Sequence, residues 1–397
     1  MNLRIAIWLT IVTVISLALG RYLYWRTVQG LPMNLRWFVL AYLVLAIVAP
    51  WFGRLAQFGL GFPASAVNAI SWFGYINMGL LSTLFWVYLL TDSSMGLYRR
   101  ASAYVATPTL VEPASTAVSR RDWLLGTGTL LAAAASLTAW GVSRARGIPP
   151  VLTTAVKLPR WPQSAPAVRL VQISDIHLGP TIKGDFLAAV VERVMARKPD
   201  IIAITGDLVD GSVASLGQDA AALRELSAPL GVYFITGNHE YYSGAAQWIN
   251  YVRSLGITVL ENTSVVVQSA AGPIHIAGVN DLSAPSMGAG ASDPMAALAP
   301  HRDEPNVARI LLAHQPKSAS YAQDLGYDLQ ISGHTHGGQF FPYNWLVYLA
   351  QPYVWGLHTH KGEKETLQVY VSRGTGYWGP PLRIGAPAEI SELILSA

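Results

Sequence analysis

Residues Ile331–Leu349 read ISGHTHGGQFFPYNWLVYL. The first half is polar, with two imidazoles one residue apart between glycines. The second half, from Phe340 onward, is rich in Phe, Trp, Leu and Tyr. A short apolar run, Leu329–Ser332, precedes the first glycine, so the histidines leave the end of an expected strand. The same arrangement recurs upstream. Val168–Ser174 leads into Asp175-Ile176-His177, and Ile201–Thr205 into Gly206-Asp207. Val232–Thr236 leads into Gly237-Asn238-His239-Glu240, and Arg309–Ala313 into His314.

Between these runs the apolar spacing turns helical. Phe186, Leu187, Val190, Val191 and Val194 share one helix face, and Leu216–Leu226 and Ala245–Leu255 read as further helices. Gly256 stands where the last of these should end. Thr258–Leu260, Ser264–Gln268, Ile274–Val279, Thr366–Ser372 and Glu389–Leu395 are further expected strands. Sheets covered by helices follow, with the ligand site off the carboxyl ends of strands. If the chain stays extended beyond those ends, period-two alternation puts Asp175 and His177 on one side, and likewise His334 and His336.

The donor set is carboxylate, imidazole and amide. It suits Mn, Fe or Zn, and the chain has no cysteine to supply a thiolate, a disulfide or a sulfur nucleophile. An Asp-x-His or a single His is commonplace on its own. Five such clusters, each after a β-rich run, carry weight together.

Of 397 residues, 52% are hydrophobic and 13% charged, against about 25% charged in soluble domains. The excess lies at the amino-terminal end. Leu3–Leu19, Leu35–Phe52, Ala66–Leu90 and Trp123–Val142 each approach the ~20 residues that cross a bilayer as helix. Tyr22, Tyr24, Trp25, Trp51, Tyr88 and Trp123 sit near their ends, as interfacial residues do. Arg21, Arg26, Arg36, Arg99, Arg100, Arg120 and Arg121 collect on one side, Arg4 and Arg54 on the other. The positive-inside rule then makes the first side cytoplasmic and puts everything after the fourth span outside. The net charge is +4 with no basic–aromatic stripe, so nucleic acid is not an expected partner.

The expected organisation is a transmembrane anchor of about four helices over residues 1–145, a proline-rich linker over 146–167, and an α/β domain over 168–397. Pro149, Pro150, Pro159, Pro162 and Pro166 motivate the linker.

Taken in order, the D-x-H, G-D, G-N-H-E, lone His and G-H-T-H clusters resemble the calcineurin-like metallophosphoesterases. The resemblance covers residues 168–397, including the tail YVSRGTGYWGPPLRIGAPAEI (Tyr370–Ile390), and is nearest the membrane-associated bacterial branch. It implies an α/β/β/α sandwich with two divalent ions at the strand ends. One ion would be held by Asp175, His177, Asp207 and His336, the other by Asp207, Asn238, His314 and His334. Asp207 would bridge them. Two cations about 3.5–4 Å apart can clamp a phosphoryl group for in-line attack. His239, beside Asn238, is placed to steady the phosphate or protonate the leaving oxygen. Glu240 either orients that imidazole or caps the following helix. Arg373 and Arg383, in the tail, could contact phosphate or form ion pairs. His358 and His360 read as loop residues.

Phe340, Phe341, Trp345 and Leu346 follow the metal histidines directly, which suggests an apolar lip at the site mouth that faces lipid. Packing against the sheet is the competing reading. The expected activity is phosphoester hydrolysis in the bacterial cell membrane, as a phosphodiesterase on a phospholipid or lipid-linked nucleotide. The alternative is a non-catalytic ligand-binding sensor or transporter accessory domain.

Overall fold

The computed structural model describes residues 3–57, 62–105, 119–299 and 307–397. The chain divides into two compact units, Met1–Val142 and Ser143–Ala397.

The first unit is helical: α1 Leu3–Val28, α2 Met33–Gln57, α3 Ala64–Val105 and α4 Arg120–Arg146, the last running on beyond Val142. Their outward faces carry Trp37, Phe38, Leu45 and Val48, while Leu23, Leu43, Leu81 and Tyr88 turn inward. Helices apolar on all sides suit lipid rather than water. Small residues let their backbones approach: a Cβ at Gly74 would stand 2.6 Å from the Pro50 nitrogen.

Among the described residues, three helical stretches are long and apolar enough to cross a membrane: Met33–Leu55, Ala64–Ser102 and Arg120–Arg146. The expected first span falls in α1, where the side chains of residues 3–9 lie outside those described. Helix α3 overruns the expected span Ala66–Leu90. Its 42 residues extend about 63 Å at 1.5 Å per residue, twice a ~30 Å hydrocarbon core. Hydropathy marks only the apolar part, whereas no proline interrupts the polar continuation Thr91–Val105.

The second unit is a sandwich of two six-stranded sheets. One has the order β1-β12-β2-β3-β4-β5, with β1 Val151–Lys157, β2 Val168–Ile173, β3 Ile201–Thr205, β4 Val232–Ile235, β5 Thr258–Val259 and β12 Ile390–Ser396. The other has the order β10-β11-β9-β8-β7-β6, with β6 Thr263–Ser269, β7 Gly272–Gly278, β8 Ala308–Leu312, β9 Leu329–Ser332, β10 Gly356–Lys361 and β11 Thr366–Val371. Strand parity sets the layers. Leu170, Ile201, Ala203 and Ile235 face Ile276, Ile310 and Ile331 across the middle. Val171, Ile202, Ile204 and Phe234 face outward to α5 (Gly184–Met195), α6 (Val213–Ala220) and α8 (Ala245–Ser254). Helices α9 (Pro294–Leu298) and α10 (Ala319–Ala322) cover the second sheet. The α/β/β/α order is as the sequence suggests.

Two strands escape the sequence reading. β1 falls inside the expected linker, where Pro149 and Pro150 end just before it and Pro159 begins just after. Its seven residues pair in parallel with β12. β10 carries His358 and His360, which are therefore strand residues rather than loop residues. His360 Nε2 bonds with Gln323 Oε1 at 3.0 Å, and His358 Nε2 with the Trp355 carbonyl at 2.8 Å.

Candidate metal centre

Strands β2, β3 and β4 run parallel in one sheet, and β8 and β9 run parallel in the other. The five polar clusters leave their carboxyl ends. The chain does not stay extended there, which corrects the period-two expectation. Asp175 and His177 both have φ of 55°, Asp207 has 51°, His334 has 70° and His336 has 52°. Five of the seven proposed ligand residues thus adopt the left-handed conformation, which Asp and His tolerate better than most side chains. Such backbone is strained and concentrates at functional sites.

Local bonding holds these turns. Asp175 N–H donates to the Gly206 carbonyl at 3.0 Å and His177 N–H to the Asp207 carbonyl at 3.1 Å. Helix α7 (Asn238–Ser243) begins at the third cluster. Its Glu240 is fully buried and accepts from the N–H groups of Gly237 (2.6 Å), Asp207 (2.9 Å) and Leu208 (2.8 Å). Glu240 is therefore a cap joining the second and third clusters, not a partner of the imidazole.

The side chains gather into three groups whose donor atoms lie within 4.8 Å of one another: Asp175, His177 and His336; His177, Asp210 and His239; Asp207, His314 and His334. In the first, His177 Nε2 is 3.1 Å from His336 Nε2, and Asp175 Oδ1 is 3.5 Å from His336 Nε2. In the third, His314 Nε2 is 3.1 Å from Asp207 Oδ2 and 3.3 Å from His334 Nδ1. Asp207 Oδ2 also lies 3.8 Å from His177 Nε2, so one carboxylate oxygen reaches both groups.

The donor set fits divalent ions. His314 Nδ1 is 2.7 Å from the Thr205 carbonyl, which requires a proton on Nδ1 and makes Nε2, on the Asp207 side, the nitrogen that could bind an ion in place of its proton. Among the described residues the buried Oδ1 of Asn238 has no hydrogen-bond partner, as a ligand oxygen would without its cation. The structure thus places Asp175, His177, Asp207, Asn238, His314, His334 and His336 at one end of the sandwich, all on the strand exits.

Electrostatics follow from packing these charges together out of water. Burial pushes the Asp207 carboxyl up, but His314 and His239 outweigh it and hold it well below the usual range. Burial pulls His314 down, but Asp207 and Asp175 lift it well above an ordinary histidine. His239 is likewise lowered by burial and raised more by Asp207 and Asp210, ending at about 9. His334 falls to about 4, through burial and the nearby His314. His336 falls well below normal through burial, His177 and Arg383. Burial and Asp207 lift Glu240 to about 7.

Asp210 is the residue that the sequence reading missed. Its Oδ1 accepts from His239 Nδ1 at 2.5 Å, and its Oδ2 lies 3.2 Å from His177 Nδ1. It turns the Nε2 atoms of both rings inward. The available signal was Gly206-Asp207-Leu208-Val209-Asp210-Gly211, a second carboxylate three residues after the first.

The two tail arginines make structural contacts. Arg383 is buried and donates to the carbonyls of His336 (2.8 Å), Arg373 (2.8 Å), Gly376 (2.5 Å) and Ala386 (3.2 Å). These bonds from its two terminal nitrogens fasten the tail under His336. Arg373 pairs with Glu389 at 2.6 Å and stacks over Trp355. Of the expected lip, Phe340 is buried, but Phe341, Trp345 and Leu346 are 37%, 68% and 48% exposed. They lie on and around α11 (Tyr343–Leu346), in a segment that also exposes Tyr348, Leu349 and Trp355.

Residues 168–338 match the family model described as calcineurin-like phosphoesterase. A transmembrane protein with metallophosphoesterase domain from Danio rerio is 35% identical over 78% of this chain and 74% of its own. A protein of the same description from Bos taurus is 40% identical over 66% of this chain and 60% of its own. An uncharacterized metallophosphoesterase of Bacillus subtilis is 33% identical over 70% of this chain and 98% of its own. The chain belongs to the calcineurin-like metallophosphoesterase family. It spans three-fifths of the length of the bovine relative, and its similarities reach into animals as well as bacteria.

Proposed function

We propose that this chain is a membrane-anchored, metal-dependent phosphoesterase that holds two divalent ions. The observation that carries the proposal is the reach of Asp207 Oδ2 to both imidazole groups, at 3.1 Å from His314 and 3.8 Å from His177. Asp175, His177, Asp207 and His336 would hold one ion, and Asp207, Asn238, His314 and His334 the other, drawn from Mn, Fe and Zn. Two such ions supply positive charge for the phosphoryl oxygens and lower the pKa of an attacking water.

The chain's own groups do the rest. Asp210 fixes the His239 ring through Nδ1, leaving Nε2, 3.9 Å from Asp207 Oδ2, to face the substrate. His239 then hands its proton to the leaving oxygen. Asp210 remains charged and steadies the imidazolium until that transfer.

The substrate is a phosphodiester of a phospholipid or a lipid-linked nucleotide, at the extracytoplasmic face of a bacterial cell membrane. Support comes from the exposed Trp345, Leu346, Tyr348 and Leu349, which follow the metal histidines in a chain carrying membrane-length helices. The arginine asymmetry between the sides of the spans supports the orientation.

The test compares micellar with soluble phosphodiesters using the Mn-loaded full chain. Trp345→Ala and Leu346→Ser are expected to lose turnover on micelles selectively. Equal losses on both substrate forms would remove the lipid argument. Phosphate binding without turnover on any ester would favour a sensor instead.

A further inference from the structure

The tail phrase Tyr370–Ile390 contains an element that metal binding does not explain. Trp378 is 44% exposed, yet the backbone around it is pinned on every side. Thr375 N–H donates to the Ser174 carbonyl at 2.7 Å and Gly376 N–H to the Asp175 carbonyl at 3.0 Å. A Cβ at Gly376 would stand 2.1 Å from the Ile176 carbonyl, so only glycine permits this approach. Tyr377 is buried, with its hydroxyl donating to the Thr181 carbonyl at 3.0 Å. The Gln339 amide then grips Trp378 itself. Its Oε1 accepts from the Trp378 N–H at 2.9 Å, and its Nε2 donates to the Trp378 carbonyl at 2.9 Å and the Pro380 carbonyl at 3.0 Å.

This scaffold carries the indole to His239. The ring centroids are 5.6 Å apart at an interplanar angle of 71°. On α7, Tyr242 stands 5.3 Å from the same imidazole at 68°, and it is 45% exposed. Two half-exposed aromatic rings thus flank the one imidazole proposed to protonate the leaving oxygen. Whatever group is bonded to that oxygen must stand beside them. A small alcohol would leave both rings in water, and the rigid mounting of Trp378 would serve nothing in the reaction. An acyl chain has its own exposed surface, around Trp345 and Leu349, on a different segment. Trp and Tyr instead pair a broad π-surface with a polar tip, which suits a ring with polar edges.

We propose that Trp378, together with Tyr242, determines specificity: the two rings form the subsite for the leaving group, and that group carries a flat heteroaromatic ring. The inference rests on the placement of His239 at the leaving oxygen. Ordered as it is, Trp378 loses little freedom when a ring settles against it.

The test is calorimetric binding to the Mn-loaded full chain in detergent, with inorganic phosphate, ribose 5-phosphate, uridine 5′-monophosphate and butyl phosphate as probes. Ribose 5-phosphate and uridine 5′-monophosphate share the same ester oxygen and differ in the base. The wild type is expected to favour the nucleotide over ribose 5-phosphate by about tenfold, in the range of one base stacked on one aromatic ring. Trp378→Ala should bring that ratio near one, Trp378→Phe should keep most of it, and Tyr242→Ala should reduce it. A structural role for Trp378 would weaken all probes together and leave the ratio standing, which overturns the proposal. So would equal wild-type affinity for the two sugar phosphates, or a gain for butyl phosphate over phosphate that matches the gain from the base. If phosphate itself does not bind, the phosphoesterase reading falls and takes this one with it. If phosphate binds and the base adds nothing, only the subsite falls.

Discussion

A single methyl group at Gly237 should dismantle the metal centre. Gly237 has φ of −98° and ψ of −173°, a conformation open to alanine, so the backbone offers no objection. Space does. A Cβ there would stand 2.2 Å from Asp207 Oδ1 and 2.5 Å from the Asp207 nitrogen, where ordinary contact begins near 3.4 Å. Asp207 must retreat by about 1 Å, and it is the one carboxylate that reaches both groups of imidazoles. Metal–ligand distances tolerate about 0.2 Å, and a misplacement near 1 Å costs roughly 100-fold in rate, or about 2.7 kcal/mol of barrier. Gly237→Ala is therefore expected to lose bound metal and about 100-fold in hydrolysis of thymidine 5′-(p-nitrophenyl phosphate). The readouts are elemental analysis and released nitrophenol, with circular dichroism to establish that the fold persists. Gly126→Ala is the control, since among the described residues a Cβ there meets no atom within 4 Å beyond its own helix backbone and chain neighbours. A folded Gly237→Ala protein with full metal and undiminished turnover would refute the steric reasoning and the role it assigns to Asp207.

Other outcomes follow from the same geometry. Asp210→Ala frees the His239 and His177 rings, and kcat/KM should fall about 10- to 100-fold, the usual effect of removing an outer partner of a metal site. Glu240→Ala strands three buried N–H donors, at about 1–3 kcal/mol each, so the second unit should melt roughly 10 °C lower by calorimetry. Chelation should also lower its melting temperature, because an ion at 100 times its Kd contributes about 2.7 kcal/mol; an unchanged melting curve in excess EDTA would count against a resident ion.

The apolar runs and the polar residues that follow them were enough to mark five strand exits, while the seven proposed ligand residues came with the family resemblance. Hydrophobic periodicity reports which strands are buried, and buried strands aim their ends. The strands it missed are edges. β1 alternates little and sits between prolines, and β10 places His358 and His360 on a half-solvated strand, so neither shows an apolar rhythm. Backbone conformation was also invisible. Nothing in Asp-Ile-His announces a φ of 55° at both ends, because Asp and His occupy the left-handed region only when surrounding contacts impose it. Asp210 and the backbone contacts of Arg383 were hidden for a related reason. Their roles depend on which groups face them across the fold, His239 for the first and four carbonyls for the second, and sequence distance conceals that.

The most direct measurement is metal stoichiometry across three forms of the chain. Purified wild-type protein loaded with Mn should retain two ions per chain, His314→Ala one, and Asp207→Ala none. Loss of only one ion from Asp207→Ala, or retention of both, would contradict a shared carboxylate at the heart of the site.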